Sequence, residues 1–291
     1  MPRRASKQGR RPRLGLALSG GAARGLAHVG VLKVFAEHGI KADCVAGTSA
    51  GALVGGALAA GMPVEEIEQI GRSLRWRDLG RVTLSRLGVQ SNAATEEYVR
   101  ARFPFTRFEE LPVPFAAVAT DLRTGGAVVM RDEGDVAFAV RASCAVPGWY
   151  VPVTDAEGRQ LVDGGLVANL PVSVARSLGA EVVVAVDVNS EGAKFLGPPA
   201  SVVGGLIQSM LVVQRTAVQH QRQLADVVIS PPVGHLRWDE MGRAAEFIDA
   251  GAEAARACLP TLKELLEPQP EEEAGRLGLS LRRDRQPAED S

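Results

Sequence analysis

The sequence predicts an α/β fold with a mainly parallel central sheet and helices on both of its faces. Short apolar runs alternate with helical patterns along most of the chain, as expected of strand and helix units in a parallel sheet. The chain has 291 residues, 46% of them hydrophobic, which is enough to bury a substantial core. Its formal net charge of −1 argues against a globally basic, nucleic-acid-binding protein.

The predicted elements follow one another in order along the chain. Each strand-like run is short and apolar, and the first two are followed at once by a helical pattern. The predicted strands are RLGLAL (13–18), DCVAG (43–47), EVVVAVDV (181–188) and ADVVIS (225–230), and the predicted helices include GLAHVGVLKVFAEHG (25–39), AGALVGGALAAG (50–61) and a segment from about 239 to 266.

The ends of the chain differ in composition from its centre. We expect a basic, flexible tail over residues 1–12, a catalytic domain over 13–266 and a flexible charged tail over 267–291. Two segments interrupt the alternation of elements: 71–107, which carries eight basic and three acidic residues, and 190–224, which contains a long helical pattern. Either could cap a site or form surface helices.

The cysteines and the apolar segments indicate the cellular compartment. Cys44, Cys144 and Cys258 are far apart and form no CxxC pair, so the pattern favours neither a disulfide framework nor a zinc site. We recognise no signal peptide behind the basic start and expect a reduced, cytoplasmic protein. The longest uncharged stretch, 44–64, contains five glycines and is therefore expected to be a buried strand, turn and helix rather than a membrane span.

The sharpest local signal is the sequence Gly47-Thr48-Ser49-Ala50-Gly51, between a predicted strand and a predicted helix. A GxSxG motif on such a turn projects the serine hydroxyl, and the flanking glycines, Gly47 and Gly51, avoid side-chain clashes there. The pattern predicts Ser49 as a nucleophile. Small residues on this helix would also let it lie close to the sheet.

A serine nucleophile needs an oxyanion site, and the loop Ser19-Gly20-Gly21-Ala22-Ala23-Arg24-Gly25 could supply one. Backbone N–H groups in a glycine-rich turn at the start of a helix form a positive concavity. The same strand, glycine turn and helix also describe a dinucleotide-binding fingerprint, although alanine replaces its middle glycine. Asp43 lies about where a ribose-binding acid would be expected, so a nucleotide-binding protein remains an alternative.

The four histidines offer few candidates for a general base. His28 and His38 precede the serine and are expected to be solvated or satisfied in the core, while His220 falls within a helical pattern. His235 follows a predicted strand and is therefore the one credible histidine of a Ser-His-Asp triad.

An aspartate could take the serine proton directly instead. Asp121, Asp163 and Asp187 all stand near predicted strand ends. Asp163 alone is followed by two glycines, Gly164 and Gly165, which would allow a sharp turn that brings its carboxylate against another loop. The alternative for Asp163 is a turn-forming role without chemistry.

Taken in order, SGGAARG, GTSAG and VDGG resemble the three signatures of the patatin-like phospholipase family. The similarity continues through ATDLRTG, RASCAVPGWYVPV and LVDGGLVANLPVSVARSLGAEVVVAVDV, covers roughly residues 13–235, and looks closest to bacterial stand-alone proteins akin to the catalytic domain of neuropathy target esterase. The resemblance implies a three-layer α/β/α fold and a Ser-Asp dyad without histidine, in which Ser49 is acylated and Asp163 is the base.

The resemblance also assigns the glycine-rich loop. Gly20, Gly21 and Ala22 match the residues whose amides bind the oxyanion, and Arg24, followed by Gly25, matches a supporting arginine. Ala22 departs from the glycine found in many members, and alanine is tolerated there if its φ is negative.

The implied substrate is a fatty-acid ester, a phospholipid or lysophospholipid, and the implied scheme requires no metal or organic cofactor. The stretch 72–87, with five arginines, Trp76 and several leucines, would suit an anionic membrane at the inner face, although a solvated helical face explains it equally well. A non-catalytic scaffold is a further alternative.

Overall fold

The fold is taken from a computed structural model, which describes residues 9–190 and 202–268. Short strands and helices alternate along the described chain. The strands are β1 (Leu14–Leu18), β2 (Cys44–Thr48), β3 (Arg81–Val82), β4 (Gly88–Ser91), β5 (Phe115–Asp121), β6 (Ala127–Arg131), β7 (Gly148–Tyr150), β8 (Val153–Thr154), β9 (Gln160–Asp163), β10 (Val182–Val186) and β11 (Val227–Ile229). The helices are α1 (Leu26–Glu37), α2 (Ala50–Ala59), α3 (Val64–Ser73), α4 (Trp76–Leu79), α5 (Ala93–Arg102), α6 (Val136–Ser143), α7 (Gly165–Ala168), α8 (Val172–Ser177), α9 (Val202–Arg222) and α10 (Ala244–Leu265).

The main sheet has the strand order β11-β10-β1-β2-β5-β9-β8, with β6 also paired to β5. The pairs from β11 to β5 are all parallel, whereas β6, β8 and β9 pair antiparallel with their neighbours. The sheet is therefore mainly parallel, and its antiparallel part lies beyond β5.

Helices cover both faces of the sheet. Successive residues of a strand point to opposite faces, so alternate residues of one strand enter different cores. Leu16 and Val184 enter one core together with residues of α1 and α10. Ala17 and Val183 enter a second core with residues of α8. The structure thus has the three-layer α/β/α arrangement, and the chain's predicted fold class is confirmed.

One feature of the sheet determines where the site lies. β6 pairs with Ala116 to Thr120 along one edge of β5, so the two other partners of β5 share its opposite edge. β2 runs parallel to the first half of β5 and ends with Thr48 opposite Val118. β9 runs antiparallel along the second half and ends with Asp163 opposite Ala119. The carboxyl ends of β2 and β9 therefore meet head to head.

The two interrupting segments have distinct structures. Segment 71–107 contains the end of α3, the short α4, the hairpin β3–β4 and α5, and β4 also pairs with β7 in a small three-stranded sheet. Segment 190–224 contains the 21-residue helix α9, while residues 191–201 lie outside the described residues. None of the helices in the described ranges is long and apolar enough to cross a membrane.

The tails are described only in part. Residues 1–8 and 269–291, which make up most of the two predicted tails, lie outside the described residues. The described end of the first tail lies against the domain, because Arg10 pairs with Glu181 and Arg11 pairs with Asp43. Residues 10 and 11, which we expected in the flexible tail, therefore contact the domain.

Candidate active site

Ser49 occupies the sharp turn between β2 and α2 with a positive φ of 54° and a ψ of −122°. Such a conformation is strained for a residue with a side chain and recurs at functional sites. A Cβ atom added to Gly47 would lie 2.4 Å from the Gly51 carbonyl oxygen, and one added to Gly51 would lie 2.2 Å from the Leu18 carbonyl oxygen. Both glycines are thus required by close backbone contacts, as the nucleophile turn predicts.

Asp163 ends β9 directly beside this turn. A Cβ atom added to the next residue, Gly164, would lie 2.1 Å from the Val118 carbonyl oxygen and 3.2 Å from the Thr48 side chain. Glycine at this position therefore allows the turn after Asp163 to pack against β5 and against the end of β2, which precedes Ser49. The structure brings Ser49 and Asp163 together, although 114 residues separate them in sequence.

The environment of Asp163 suits a general base. Its side chain is buried, and desolvation raises its pKa to about 6, while hydrogen bonding from Ser49 and from the Gly165 amide lowers it. The Gly165 N–H donates to the carboxylate at 2.7 Å, and the Thr120 hydroxyl donates to the Asp163 carbonyl at 2.9 Å. A pKa close to neutral pH leaves the carboxylate mainly ionised and still able to accept and return a proton.

The glycine-rich loop packs directly on Ser49, since a Cβ atom added to Gly20 would lie 3.1 Å from the Ser49 Cβ. The Gly20 N–H donates to the Asn169 carbonyl at 3.1 Å, so this amide is already engaged. No hydrogen bond between described residues uses the N–H of Gly21 or Ala22. Of the three predicted oxyanion residues, Gly21 and Ala22 are therefore the two whose amides have no partner among the described residues.

Ala22 differs from the sequence expectation. It adopts φ 52°, in the left-handed region, rather than the negative φ under which we expected alanine to be tolerated. A 3₁₀ turn, Ala22–Gly25, begins at this residue, and the N–H of the following Ala23 is fixed by the Trp238 carbonyl at 2.9 Å. The loop thus holds alanine in the conformation that glycine adopts more easily.

Arg24 supports the loop from behind. Its buried guanidinium donates from Nε and Nη2 to the Leu236 carbonyl at 3.1 and 2.9 Å, and from Nη1 to the Asn189 side chain at 3.4 Å. Asn189 in turn donates to the Gly20 carbonyl at 2.7 Å. Next to Arg24, a Cβ atom on Gly25 would lie 2.4 Å from the Cβ of Ala50, so the loop fits tightly on the start of α2.

Ser143 was missed by the reasoning from sequence. The Ser49 N–H donates to the Ser143 Oγ at 2.8 Å, and this hydroxyl donates to the Val118 carbonyl at 2.6 Å. The Asp163 N–H donates to the Ala145 carbonyl at 2.9 Å, two residues further on. The end of α6 and the residues that follow it therefore fix the backbones of Ser49 and Asp163. The sequence signal for this segment was RASCAVPGWYVPV, part of the resemblance to the patatin-like family.

Cys144 also faces this site and lines the same cavity as Ser49 and Asp163. Burial and the neighbouring Asp163 carboxylate raise the pKa of its thiol far above the ordinary value. The thiol is therefore neutral at physiological pH and a poor nucleophile.

None of the four histidines lines the cavity that contains Ser49 and Asp163. His28 is buried in α1, its Nε2 lies 2.8 Å from the Ser19 carbonyl, and desolvation lowers its pKa to about 4. His38 and His220 are exposed. His235, the candidate for a triad, is also exposed and does not line the cavity that contains Ser49.

The other acidic candidates have structural partners elsewhere. Asp121 accepts hydrogen bonds from the Arg123 amide and the Thr124 hydroxyl, as in an Asx turn. The buried Asp187 pairs with Arg222 at 2.6 Å. Asp43 pairs with Arg11 and accepts the Leu14 N–H at 2.6 Å, which places it at the amino end of β1, opposite the glycine-rich loop. Asp43 therefore cannot serve a nucleotide bound at that loop.

A cavity of about 140 Å³ opens over Ser49 and Asp163. Its lining is largely apolar, and Arg24 and Asp163 are its only charged residues within the described part of the chain. All three tryptophans of the chain, Trp76, Trp149 and Trp238, line the cavity. Trp238 makes an edge-to-face contact with each of the other two, with ring centroids 6.2 Å apart in both pairs. Among residues 9–190 and 202–268, no cluster of three or more His, Cys, Asp or Glu residues could hold a metal ion.

Comparison with known proteins identifies the family. Residues 16–176 match the family model for patatin-like phospholipases. A Mycobacterium tuberculosis protein described as an uncharacterized NTE family protein is 37% identical over 185 residues, which cover 62% of this chain and 51% of that protein. The rat patatin-like phospholipase domain-containing protein 7 is 35% identical over 186 residues, 61% of this chain and 14% of the rat protein.

Two further relationships define the extent of the similarity. A second M. tuberculosis protein, also described as an uncharacterized NTE family protein, is 33% identical over 279 residues, covering 87% of this chain and 47% of its own length. The chain thus spans about half the length of the mycobacterial relatives. The crystal structure of VipD from Legionella pneumophila shares the fold, with a TM-score of 0.59, 15% identity, and coverage of 86% of this chain and 67% of VipD. The chain belongs to the patatin-like phospholipase family.

Proposed function

We propose that this protein is a serine hydrolase of lipid acyl esters that works through a Ser49-Asp163 dyad and an acyl-enzyme. The observation that carries the proposal is a strained serine beside a buried aspartate at the floor of an apolar cavity. Membership of the patatin-like phospholipase family supports lipid acyl hydrolysis in general terms.

The first half-reaction forms the acyl-enzyme. The Ser49 Oγ attacks the ester carbonyl carbon while the Asp163 carboxylate accepts the hydroxyl proton. The negative charge that develops on the carbonyl oxygen is stabilised by the free N–H groups of Gly21 and Ala22. Asp163 then gives its proton to the alcohol oxygen as the ester C–O bond breaks, and the acyl group stays on Ser49.

The second half-reaction releases the acid. Asp163 takes a proton from a water molecule that attacks the acyl-enzyme carbonyl, and the same two amides stabilise the second oxyanion. The carbon–oxygen bond to Ser49 then breaks, and the proton returns from Asp163 to the serine oxygen. The scheme uses a single carboxylate as base and acid in turn, and its pKa of about 6 fits both tasks.

The proposed substrate is a phospholipid or lysophospholipid. The apolar cavity with three tryptophans suits an acyl chain. Its one cationic side chain, Arg24, already donates to backbone and amide oxygens, so a charged head group is better placed outside the cavity. Peripheral contact with an anionic membrane and a cytoplasmic location, both predicted from the sequence, belong to the same proposal.

Labelling with a fluorophosphonate followed by a lipid panel tests the proposal. The wild-type protein should be labelled and should hydrolyse a soluble short-chain ester. Ser49→Ala should abolish the labelling, and Asp163→Asn should reduce hydrolysis to near background, by at least about 100-fold.

His235→Ala is the matched control, because its exposed side chain lies outside the cavity. It should retain full activity in a dyad enzyme. A fully active Asp163→Asn variant would exclude the dyad. Absence of labelling together with bound nucleotide in the purified protein would favour the nucleotide-binding alternative.

A further inference from the structure

The hairpin formed by residues 81–91 exposes large apolar side chains to solvent. Val82 is 84% exposed, Leu87 is 56% exposed and Leu84 is fully exposed, and the three surround the turn of the hairpin. Scattered single apolar residues are ordinary on protein surfaces, whereas several on one projecting element indicate an interaction surface.

The hairpin is fixed beside the mouth of the catalytic cavity. β4 pairs with β7 through Gly88 opposite Gly148 and Gln90 opposite Tyr150, and β7 carries Trp149 and Tyr150, which line the cavity. The base of the hairpin is equally close, since a Cβ atom on Gly80 would lie 2.7 Å from the Tyr150 ring. The apolar turn is thus held by the same strand that forms the cavity wall.

A second element continues this apolar surface. Helix α9 contributes Met210 and Leu211 to the cavity and exposes Val212 and Val213 next to them, at 59% and 68%. α9 also lies against β7. Two elements at the mouth of the cavity, the hairpin and α9, therefore expose apolar side chains to solvent.

The charges on and beside the hairpin are mainly positive. Residues 75–91 contain four arginines and a single acid, Asp78, which is engaged by the Arg75 amide and lies 4.0 Å from Arg77. Arg81 lies 3.9 Å from the exposed Glu97. Arg86, in the turn itself, forms no ion pair with any described residue. Apolar side chains flanked by arginines match the interface of a bilayer that contains anionic lipid.

We propose that the hairpin 81–91 docks the protein on an anionic lipid surface by inserting Val82, Leu84 and Leu87, with Arg81 and Arg86 at the head groups. This inference deepens the proposed function, because docking by this element would turn the mouth of the cavity toward the bilayer. The occupant is a lipid surface rather than a protein, since the apolar tip carries Arg81 and Arg86 and is joined through β7 to the wall of an apolar cavity.

Vesicle binding tests the proposal in the Ser49→Ala variant of the 291-residue chain, so that hydrolysis does not alter the vesicles. We expect binding to vesicles of phosphatidylcholine with phosphatidylglycerol and much weaker binding to phosphatidylcholine alone. Leu84→Ser combined with Leu87→Ser should weaken binding at least about tenfold. Arg81→Ser combined with Arg86→Ser should weaken it by about tenfold or more on the anionic vesicles only.

Matched controls lie away from the mouth. Phe105, 41% exposed, precedes β5 on the amino side of the sheet, and Arg256 pairs with Glu37 at the end of α1 that is distant from the glycine-rich loop. Phe105→Ser and Arg256→Ser should leave vesicle binding within about twofold of the parent protein.

The outcomes separate docking from catalysis. With Ser49 restored, the hairpin variants should hydrolyse a soluble short-chain ester like wild type, which also shows that they are folded. Vesicle binding unchanged by the hairpin substitutions would overturn the inference. So would a change of oligomeric state in sedimentation velocity without an effect on vesicles, since the surface would then bind a second copy. Failure of the wild type to hydrolyse the soluble ester would instead overturn the proposed function alone.

Discussion

The floor and the wall of the cavity over Ser49 and Asp163 are built in different ways. The floor consists of the turns at residues 19–25, 47–51 and 163–165, each of which is one short, contiguous motif held by backbone contacts. The wall consists of single side chains from separate segments, chiefly the three tryptophans and the cavity residues of α9. Chemistry needs fixed backbone positions, whereas an acyl chain needs only apolar volume, so the floor tolerates less change than the wall.

The largest expected effect comes from crowding the floor. Gly51→Ala should lower hydrolysis of a soluble ester by at least about 100-fold, because its Cβ would lie 2.2 Å from the Leu18 carbonyl oxygen and only backbone movement can relieve the contact. Urea unfolding should show a loss of about 1–3 kcal/mol in the free energy of unfolding. Gly242→Ala is the control, since a Cβ atom there meets no atom within 4 Å. Wild-type kinetics in Gly51→Ala would show that the turn is not rigid.

Removing the hydroxyl that accepts the Ser49 N–H should have the next largest effect. Ser143→Ala leaves the Ser49 N–H without its acceptor, so kcat for the soluble ester should fall by roughly 10- to 100-fold while KM changes little. Steady-state kinetics measures both constants. Ser73→Ala, at an exposed hydroxyl in the last turn of α3, should have no effect. A rise in KM with unchanged kcat would contradict the positioning role.

The ionisation of Asp163 should appear in the pH profile of hydrolysis. Asp163 must be ionised to accept the serine proton, so kcat/KM should fall about tenfold per pH unit below pH 6. The folded-state pKa lies above the ordinary 3.8, so the carboxyl favours the folded state while it is protonated, and that contribution to stability is lost as pH rises from about 4 to about 6. Activity and this contribution therefore change in opposite directions.

The profile needs a control for acid inactivation. Samples held at low pH and returned to pH 7 should regain full activity if titration alone is responsible. A break near pH 4 would show that Asp163 has the pKa of an ordinary solvated carboxyl.

The smallest effect is expected in the wall. Trp149→Ala should lower kcat/KM for a long-chain ester by about tenfold, because the acyl chain loses an apolar contact. Hydrolysis of an acetyl ester should stay within about threefold of wild type, since the floor is untouched. Phe105→Ala, outside the cavity, should leave the ratio of the two rates unchanged. An equal loss of kcat/KM for both esters would mean that the substitution in the wall also disturbs the floor.

The sequence predicted much of the floor because each part is a local motif. Gly47 and Gly51 around Ser49 describe the turn between a strand and a helix, and the structure confirms that turn. The parallel pairing of β1, β2 and β10 also followed from the alternation of apolar runs and helices. In contrast, the positive φ of Ala22 and the engagement of the Gly20 amide depend on Asn169 and Trp238, which are distant in sequence.

The wall and the supports were not predictable from local sequence. Trp76, Trp149 and Trp238 belong to no common motif, and only the fold brings their rings within contact. Ser143 looks like an ordinary residue at the end of a helix until its hydroxyl is seen between Ser49 and β5. The basic segment 71–107 could have been a helical face, but backbone pairing with β7 made part of it a hairpin.

The sequence by itself thus predicted a mainly parallel sheet, the family and the residue types of the proposed dyad, since apolar periodicity and glycine-rich turns act over a few neighbouring residues. Only the tertiary structure decided that Ser49 and Asp163 meet. Their meeting depends on β2 and β9 sharing one edge of β5 and ending opposite Val118 and Ala119. That register is set by hydrogen bonds between strands far apart in sequence, and no local pattern encodes it.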